Sequence, residues 1–334
     1  MSDYELLVGD CLTSMRTLPC ASVHTCVTSP PYYGLRDYGQ DGQIGLEPTP
    51  DEFVEALVRV FREVRRVLRD DGTVWLNLGD SYASGGRTWR APNKNGMRSG
   101  ANADRVDHRP ADPEGVKQKD LIGIPWMVAF ALRQDGWYLR QDVIWAKPNP
   151  MPESVRDRCT KAHEYVFLLS KSPRYYYDHE AAKEPVQSNK GNGKSFRGGG
   201  SYTGGNSFNN HAVKCRETHG NAPNETGKRN RRSVWTVATR PYKGAHFATF
   251  PPDLIEPCIL AGCPQGGTVL DPFGGSGTTA GVALAHGRNA ILCELSPAYA
   301  ELIPERVAQV QSFIQGGERA KAVVNQGHNL ELFA

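Results

Sequence analysis

The chain alternates short apolar runs that stop abruptly with stretches of helical period, and that alternation leaves few architectures open. "YELLVGD" and "SVHTCVTSPPY" read as buried strands, short, rich in apolar residues and closed by residues that cannot continue a strand. Thr49, Pro50 and Glu52 form a capping box with proline in the first helical position. The apolar face behind it runs Phe53, Leu57, Val60, Phe61, Val64, Leu68, and Gly72 supplies the stop. "TVWLNLGD" follows as a strand, "PWMVAFALRQDG" as a helix, and "YLRQDVIWAKP" and "EYVFLLSKS" as strands. Farther on come helix "FPPDLIEPCILAGC", strand "TVLDPF", helix "TTAGVALAHG", strand "NAILCEL" and a last helix from Ser296 to about Phe313. The pattern predicts an α/β fold with a doubly wound, mostly parallel sheet, whose ligands lie at the carboxyl ends of the strands. No internal repeat is visible.

Charge marks where the regular pattern is interrupted. The net charge of +3 is uneven: between Lys183 and Arg240 eleven Lys or Arg stand against three acidic residues, which leaves the rest of the chain acidic. That segment holds "GNGKSFRGGGSYTGGNSFNN", glycine-rich with interleaved aromatics and no period. It reads either as a solvated insertion or as a surface for phosphate backbones. "SGGRTWRAPNKNGMRSGANADRVDHRPAD" repeats the style. No run approaches the roughly 18 apolar residues of a membrane span, and "MSDYELLVGD" lacks the regions of a signal peptide, so a cytoplasmic protein is expected. Eight cysteines without a C-x-x-C pair argue for reduced packing residues. His211, Cys215 and His219, with Cys159 and His163, repeat an interval of four, but the helical pattern around the first three is weak and no metal site is assigned.

"TVLDPFGGSGTT" is the most informative turn. A strand ends at Asp271, small residues permit close backbone approach, and a helix begins at about Thr278 with free N–H groups. It lacks the Gly-Lys-Ser/Thr of a P-loop and fits G-x-G-x-x-G poorly, which leaves an adenosyl cofactor without phosphates. Glu294, closing the next strand, is placed to take ribose hydroxyls or, alternatively, to cap a helix.

"DPFGGSGTT", preceded by "HFATFP", together with "TSPPYYG" near the amino end, resembles the motifs of S-adenosylmethionine-dependent DNA amino-methyltransferases. The catalytic motif comes first, a basic insertion second and the cofactor motif last, an order similar to the permuted beta group of that family. The likeness spans about residues 4 to 315. It implies a circularly permuted Rossmann-like domain over 1–182 and 241–315, with a basic loop at 81–120, a target-recognition insertion at 183–240 and a tail at 316–334. It further implies S-adenosyl-L-methionine as cofactor, held by Asp10, Phe250, Asp271, Pro272, Phe273, Gly274, Gly275, Ser276, Gly277, Thr278 and Glu294. Double-stranded DNA is the implied partner, with Lys147, Arg158, His163, Arg197, Arg229, Arg231 and Arg232 as candidate contacts; monomer and homodimer both stay open.

The chemistry of amino methylation explains "TSPPYYG". An aromatic amine is a weak nucleophile, and acceptors that grip its protons stabilise the charge developing on nitrogen. The Ser29 hydroxyl and the Pro30 carbonyl are the expected acceptors. Pro30 and Pro31 restrict their motion, and Tyr32 is placed to stack on a flipped base. Thr28 and Tyr33 read equally well as strand and packing residues. The resemblance further implies cytosine N4, since members with serine ahead of Pro-Pro are mostly cytosine enzymes and those with Asp or Asn adenine N6 enzymes; a hydroxyl can both donate and accept, which tilts the same way and leaves adenine N6 as the alternative. Ring-carbon methylation would need a cysteine nucleophile, and neither Cys20 nor Cys258 is suitably placed. Methylation of RNA or a protein amide, and a non-catalytic DNA-binding relic, are the competing readings; the basic insertion counts against the first and the intact motifs against the second.

Overall fold

The computed structural model describes residues 2–35, 37–83, 115–185, 227–240 and 250–330, with side chains described to residue 317. Most of the 81–120 loop, the centre of the basic insertion with Arg197, His211, Cys215 and His219, and His246 lie outside the described residues. The elements in order are β1 (Tyr4–Val8), α1 (Cys11–Arg16), β2 (Val23–Thr28), α2 (Pro50–Val67), β3 (Leu68–Leu78), α3 (Ile124–Gln134), β4 (Tyr138–Ala146), β5 (His163–Ser170) and α4 (His179–Ala182). Then come β6 (Glu184–Pro185), β7 (Lys228–Arg229), β8 (Val234–Thr236), α5 (Pro252–Gly262), β9 (Thr268–Asp271), α6 (Thr278–Ala285), β10 (Asn289–Glu294), α7 (Pro297–Ala300) and α8 (Ile303–Leu330).

Among the described residues, eight strands form one sheet in the order β1-β10-β9-β2-β3-β5-β4-β8. The run from β1 to β3 is parallel; β5 is antiparallel to both its neighbours, and β8 is parallel to β4. This is the doubly wound, mostly parallel sheet that the alternation predicts. Successive side chains leave opposite faces of a strand. Cys26, Val74 and Leu76 therefore join the core built with α1, α2 and α3. Thr25, Thr73 and Trp75 lie on the other face, where a Cβ on Gly262 of α5 would sit 2.7 Å from both threonine hydroxyls.

Local signals set most boundaries. The Thr49 hydroxyl accepts from Glu52 N at 3.2 Å, with Pro50 in the first turn of α2. Phe53, Leu57, Val60, Phe61 and Val64 are wholly buried, each apolar side chain contributing about 1.5–3 kcal/mol. The helix stops earlier than Gly72 suggests: Leu68 is already extended and opens β3. Gly72 lies inside that strand, where a side chain would strike Leu68 Cγ at 2.4 Å. Periodicity could not see this, because Leu68 continues the apolar face while pairing with Val23. At the other end α8 runs on to Leu330, through most of the tail expected at 316–334.

Two compact units emerge, Met1–Ala181 with Ser233–Ala334, and Ala182–Arg232. Residues 233–240, expected in the insertion, supply β8 to the main sheet instead, with Trp235 opposite Trp145. In the smaller unit β6 and β7 pair antiparallel. Glu184 there accepts from Arg229 Nε at 2.8 Å and Arg232 Nε at 3.0 Å, and Arg231 Nε donates to the Ala182 carbonyl. No helix among the described residues is long and apolar enough to cross a membrane.

Helix α6 meets α8 through glycine. A Cβ on Gly281 would come within 2.6 Å of Val310 Cβ. Gly281→Ala would raise helix propensity by about 1 kcal/mol in isolation, yet the clash forces α8 outward and costs about 1–3 kcal/mol. The expected result is a net loss of stability in urea unfolding; an unchanged or stabilised protein would refute the close approach.

Candidate active site

The two informative turns meet. Strands β2 and β9 are parallel neighbours, with Thr25 level with Val269 and Cys26 with Leu270, so Ser29 and Pro272 leave the sheet at the same end. A buried carboxylate joins them. Asp271 Oδ1 accepts from the Thr28 hydroxyl at 2.6 Å and from Phe273 N at 3.1 Å, and Oδ2 accepts from the Thr279 hydroxyl at 2.6 Å. Burial raises the pKa of Asp271, and the bonds from Thr279, Thr28 and Phe273 oppose that rise. Its oxygens thus fasten the strand ends and the start of α6 together. Thr28, which the sequence left between strand residue and site residue, is one of the three donors.

The turn after Asp271 folds back over β10. Gly274 N donates to the Cys293 carbonyl, and Gly275 N donates to Glu294 Oε2 at 2.7 Å. Ser296 N donates to the other oxygen, Oε1, at 2.8 Å. Burial raises the Glu294 pKa and these two N–H groups oppose it. Gly277 begins α6 at φ 86°, and a Cβ there would lie 2.8 Å from Ile303, so only glycine fits that corner. No side chain caps the helix, which leaves N–H groups of its first turn available. Ser276 and Thr278 are buried beside it, their hydroxyls 3.4 Å apart.

These residues fit an adenosyl cofactor. Each Glu294 oxygen holds one N–H and keeps further acceptor capacity, the donor-free edge that a ribose diol requires. On the neighbouring strand, Gly9 N donates to the Glu294 carbonyl. The adjacent Asp10 caps α1, its Oδ1 accepting from Thr13 N and the Thr13 hydroxyl. Phe250 is half-buried just ahead of α5, and Phe273 packs against the main core.

Around the second turn the structure adds groups that sequence reasoning missed. Tyr32 OH donates to Glu164 Oε2 at 2.6 Å and lies 3.2 Å from Asn77 Oδ1. Asn77 Nδ2 donates to the same Glu164 oxygen and to the Tyr165 carbonyl. The Lys147 ammonium bonds Glu164 Oε1 and lies over the Trp145 ring. Burial, and then the Glu164 charge, push the Tyr32 phenol well above its usual range; a bond from Ser29 pulls the other way. The ring lies so close to Gly79 that a Cβ there would be 2.4 Å from it. A charged residue heading the apolar run "EYVFLLS" was the one signal that could have drawn attention to Glu164.

The remaining sequence candidates spread over several surroundings. Lys147 turns inward to Glu164 instead of toward solvent. Arg158 stacks on Tyr82 at 3.8 Å and pairs with Glu153. His163 stands edge-on to Tyr165. Tyr33 packs on Phe53 and donates to the Pro48 carbonyl, its pKa pushed up to about 12 first by burial. Ser29 is half-buried and Pro30 buried. Lys161 Nζ is buried with no hydrogen-bond partner, 3.9 Å from Asp80. Among the described residues no group of three His, Cys, Asp or Glu could hold a metal ion.

The model of the DNA methylase family matches residues 23–305. Type II methyltransferase M.Cfr9I of Citrobacter freundii is 49% identical over 302 residues, covering 90% of this chain and 87% of the relative. Type II methyltransferase M.SmaI of Serratia marcescens is 47% identical, covering 91% and 90%. Among solved structures, the PvuII DNA methyltransferase (cytosine-N4-specific) superposes with a TM-score of 0.58 at 18% identity, covering 93% and 94%. A putative DNA modification methylase from Thermus thermophilus, solved with S-adenosyl-L-methionine, gives 0.55 at 24% identity, covering 92% and 96%. Matched along most of its length by the family, and at nearly half identity by two relatives covered over most of theirs, the chain belongs to the S-adenosylmethionine-dependent N6/N4 DNA methylase family.

Proposed function

We propose that this protein is a site-specific type II DNA methyltransferase of the permuted beta group, acting on the exocyclic N4 amino group of cytosine in double-stranded DNA. The observation that carries the reading is the pairing of β2 with β9, which sets Ser29-Pro30-Pro31-Tyr32 beside Asp271–Thr278 at one end of the sheet. S-adenosylmethionine supplies an electrophilic methyl group when bound. Glu294 and the uncapped N–H groups of the first turn of α6 would hold it, with Asp10 and Phe250 as further contacts.

The chain's own residues prepare the nucleophile. The Ser29 hydroxyl and the Pro30 carbonyl accept from the amino protons of the base and stabilise positive charge as it grows on nitrogen. Two consecutive prolines hold those acceptors in place, so little reorganisation accompanies the reaction. Tyr32 lies along the base, its ring braced by Gly79 and its hydroxyl by Glu164. The hydroxyl of Ser29 can donate to the cytosine ring nitrogen as well as accept, whereas a carboxylate could only accept. The Glu164 carboxylate, held by Lys147 and Asn77, fixes the far end of the Tyr32 side chain. Arg158, His163, Arg229, Arg231 and Arg232, with Arg197, are assigned to the DNA surface, and positive charge from Lys183 to Arg240 supplies backbone affinity. The bacterial type II relatives support a cytoplasmic site of action.

Plasmid DNA treated with the purified protein and digested to nucleosides is expected to contain N4-methylcytosine within one short motif. N6-methyladenine in its place would overturn the base assignment. Ser29→Ala is expected to lower single-turnover rate by about 10²-fold or more, and Tyr32→Ala by a similar factor, while calorimetric affinity for the cofactor stays near the parent's. Parent-like turnover in Ser29→Ala would remove the amine grip.

Glu164→Gln retains an acceptor for Tyr32 but removes the charge. It is expected to reduce kcat about tenfold with KM for DNA little changed. A change confined to KM would place Glu164 in binding instead.

A further inference from the structure

Loop 147–162 rises from the catalytic end of the sheet and is braced far beyond what a surface connection needs. Its neck is closed by Lys147 N donating to the Ala162 carbonyl at 2.8 Å, above the β4–β5 pair Ala146 and His163. The Lys147 ammonium bonds Glu164, whose other oxygen receives the Tyr32 hydroxyl, so the neck is one side chain away from the proposed base-stacking ring. Above the neck the chain reads Pro148-Asn149-Pro150-Met151-Pro152. Three prolines fix φ at alternate positions and hold the residues before them extended. Asn149 is tied twice to Thr239, its Nδ2 donating to the carbonyl at 3.2 Å and its Oδ1 accepting from the amide at 3.0 Å. On the descending side Glu153 Oε2 accepts from Arg158 Nη1 at 2.6 Å and from Lys161 N at 3.3 Å, and Lys119 bonds Asp157 at 2.7 Å.

On the ascending side of this braced loop, within its proline run, stands Met151, 85% exposed, the most exposed large apolar side chain among the described residues. A single exposed apolar residue is ordinary on a protein surface. An apolar residue held out on a stiff, cross-tied stalk beside a base-handling site is different, because the entropy of ordering the stalk has already been lost. Resting on the DNA amino-methyltransferase reading above, we propose that Met151 is a wedge that enters the base stack of duplex DNA and fills the space vacated by the flipped target base.

The chemistry of the side chain fits that slot. An unbranched, polarisable thioether adapts to the flat aromatic faces above and below an emptied step. Apolar side chains inserted between base steps offset part of the unstacking cost. The exposed Arg156 five residues on supplies a cation suited to a flanking phosphate.

The test uses the full chain and duplexes carrying the site mapped from plasmid DNA, one with a normal pair at the target and one with a mismatch there. Because Met151 is exposed, Met151→Ala is expected to melt with the parent. On the paired duplex it is expected to lose at least about tenfold in single-turnover rate, because flipping out of an intact pair costs most, and on the mismatched duplex to come within about threefold of the parent. Met151→Leu, which keeps an apolar wedge, is expected to retain most of the paired-duplex rate. A Met151→Ala enzyme equal to the parent on paired DNA overturns the wedge. So does an equal loss on both duplexes, which marks an ordinary contact. A parent that methylates no duplex overturns the underlying reading, whereas a methylating parent matched by Met151→Ala sinks the wedge alone.

Discussion

The buried carboxylate of Asp271 is the point on which the site depends. It receives one hydrogen bond from the end of β2, one from the turn it begins and one from the first turn of α6. A buried ionisable group without partners is costly, whereas one gripped by three donors forms a rigid joint. Since Thr28 directly precedes Ser29, this joint fixes the starting point of the Ser-Pro-Pro-Tyr segment relative to the glycine turn. Residues 243 positions apart are thereby joined by a single hydrogen bond.

A second charged network fixes orientation. Glu164 on β5 gathers the Tyr32 phenol, the Asn77 amide and the Lys147 ammonium, so three elements converge on one carboxylate. Ion pairs of this kind are weak evidence for stability, since desolvation consumes most of the Coulombic gain. Their use here is geometric: the aromatic ring sits between a glycine that admits it and a carboxylate that holds its far end. The same network anchors the neck of loop 147–162, so the Tyr32 ring and that loop share a support.

How far the site was legible depends on whether its signals were local. Glycine corners, proline pairs and a strand-end carboxylate show in sequence because each restricts its own backbone, which is why Asp271–Thr278 and Ser29–Tyr32 could be singled out. Glu164, Asn77 and Gly79 carry no such mark; each matters only through a side chain that arrives from elsewhere in the chain. The inward turn of Lys147 was unreadable for the same reason, as a lysine at a strand end is ordinarily solvated. β8 was likewise hidden, since three residues after a basic stretch have no period of their own, and their strand character comes from Ile144, Trp145 and Ala146 beside them.

From the sequence by itself came the α/β alternation, the two turns with their chemistry, and the concentration of positive charge between Lys183 and Arg240. These follow from local rules of dihedral freedom, side-chain period and composition. Only the tertiary structure decided that β2 and β9 are neighbours, that Leu68 opens a strand, and that Glu164 stands behind Tyr32. Strand order and buried polar partners are fixed by which distant segments pack and hydrogen-bond together, and that information resides in no single stretch of chain.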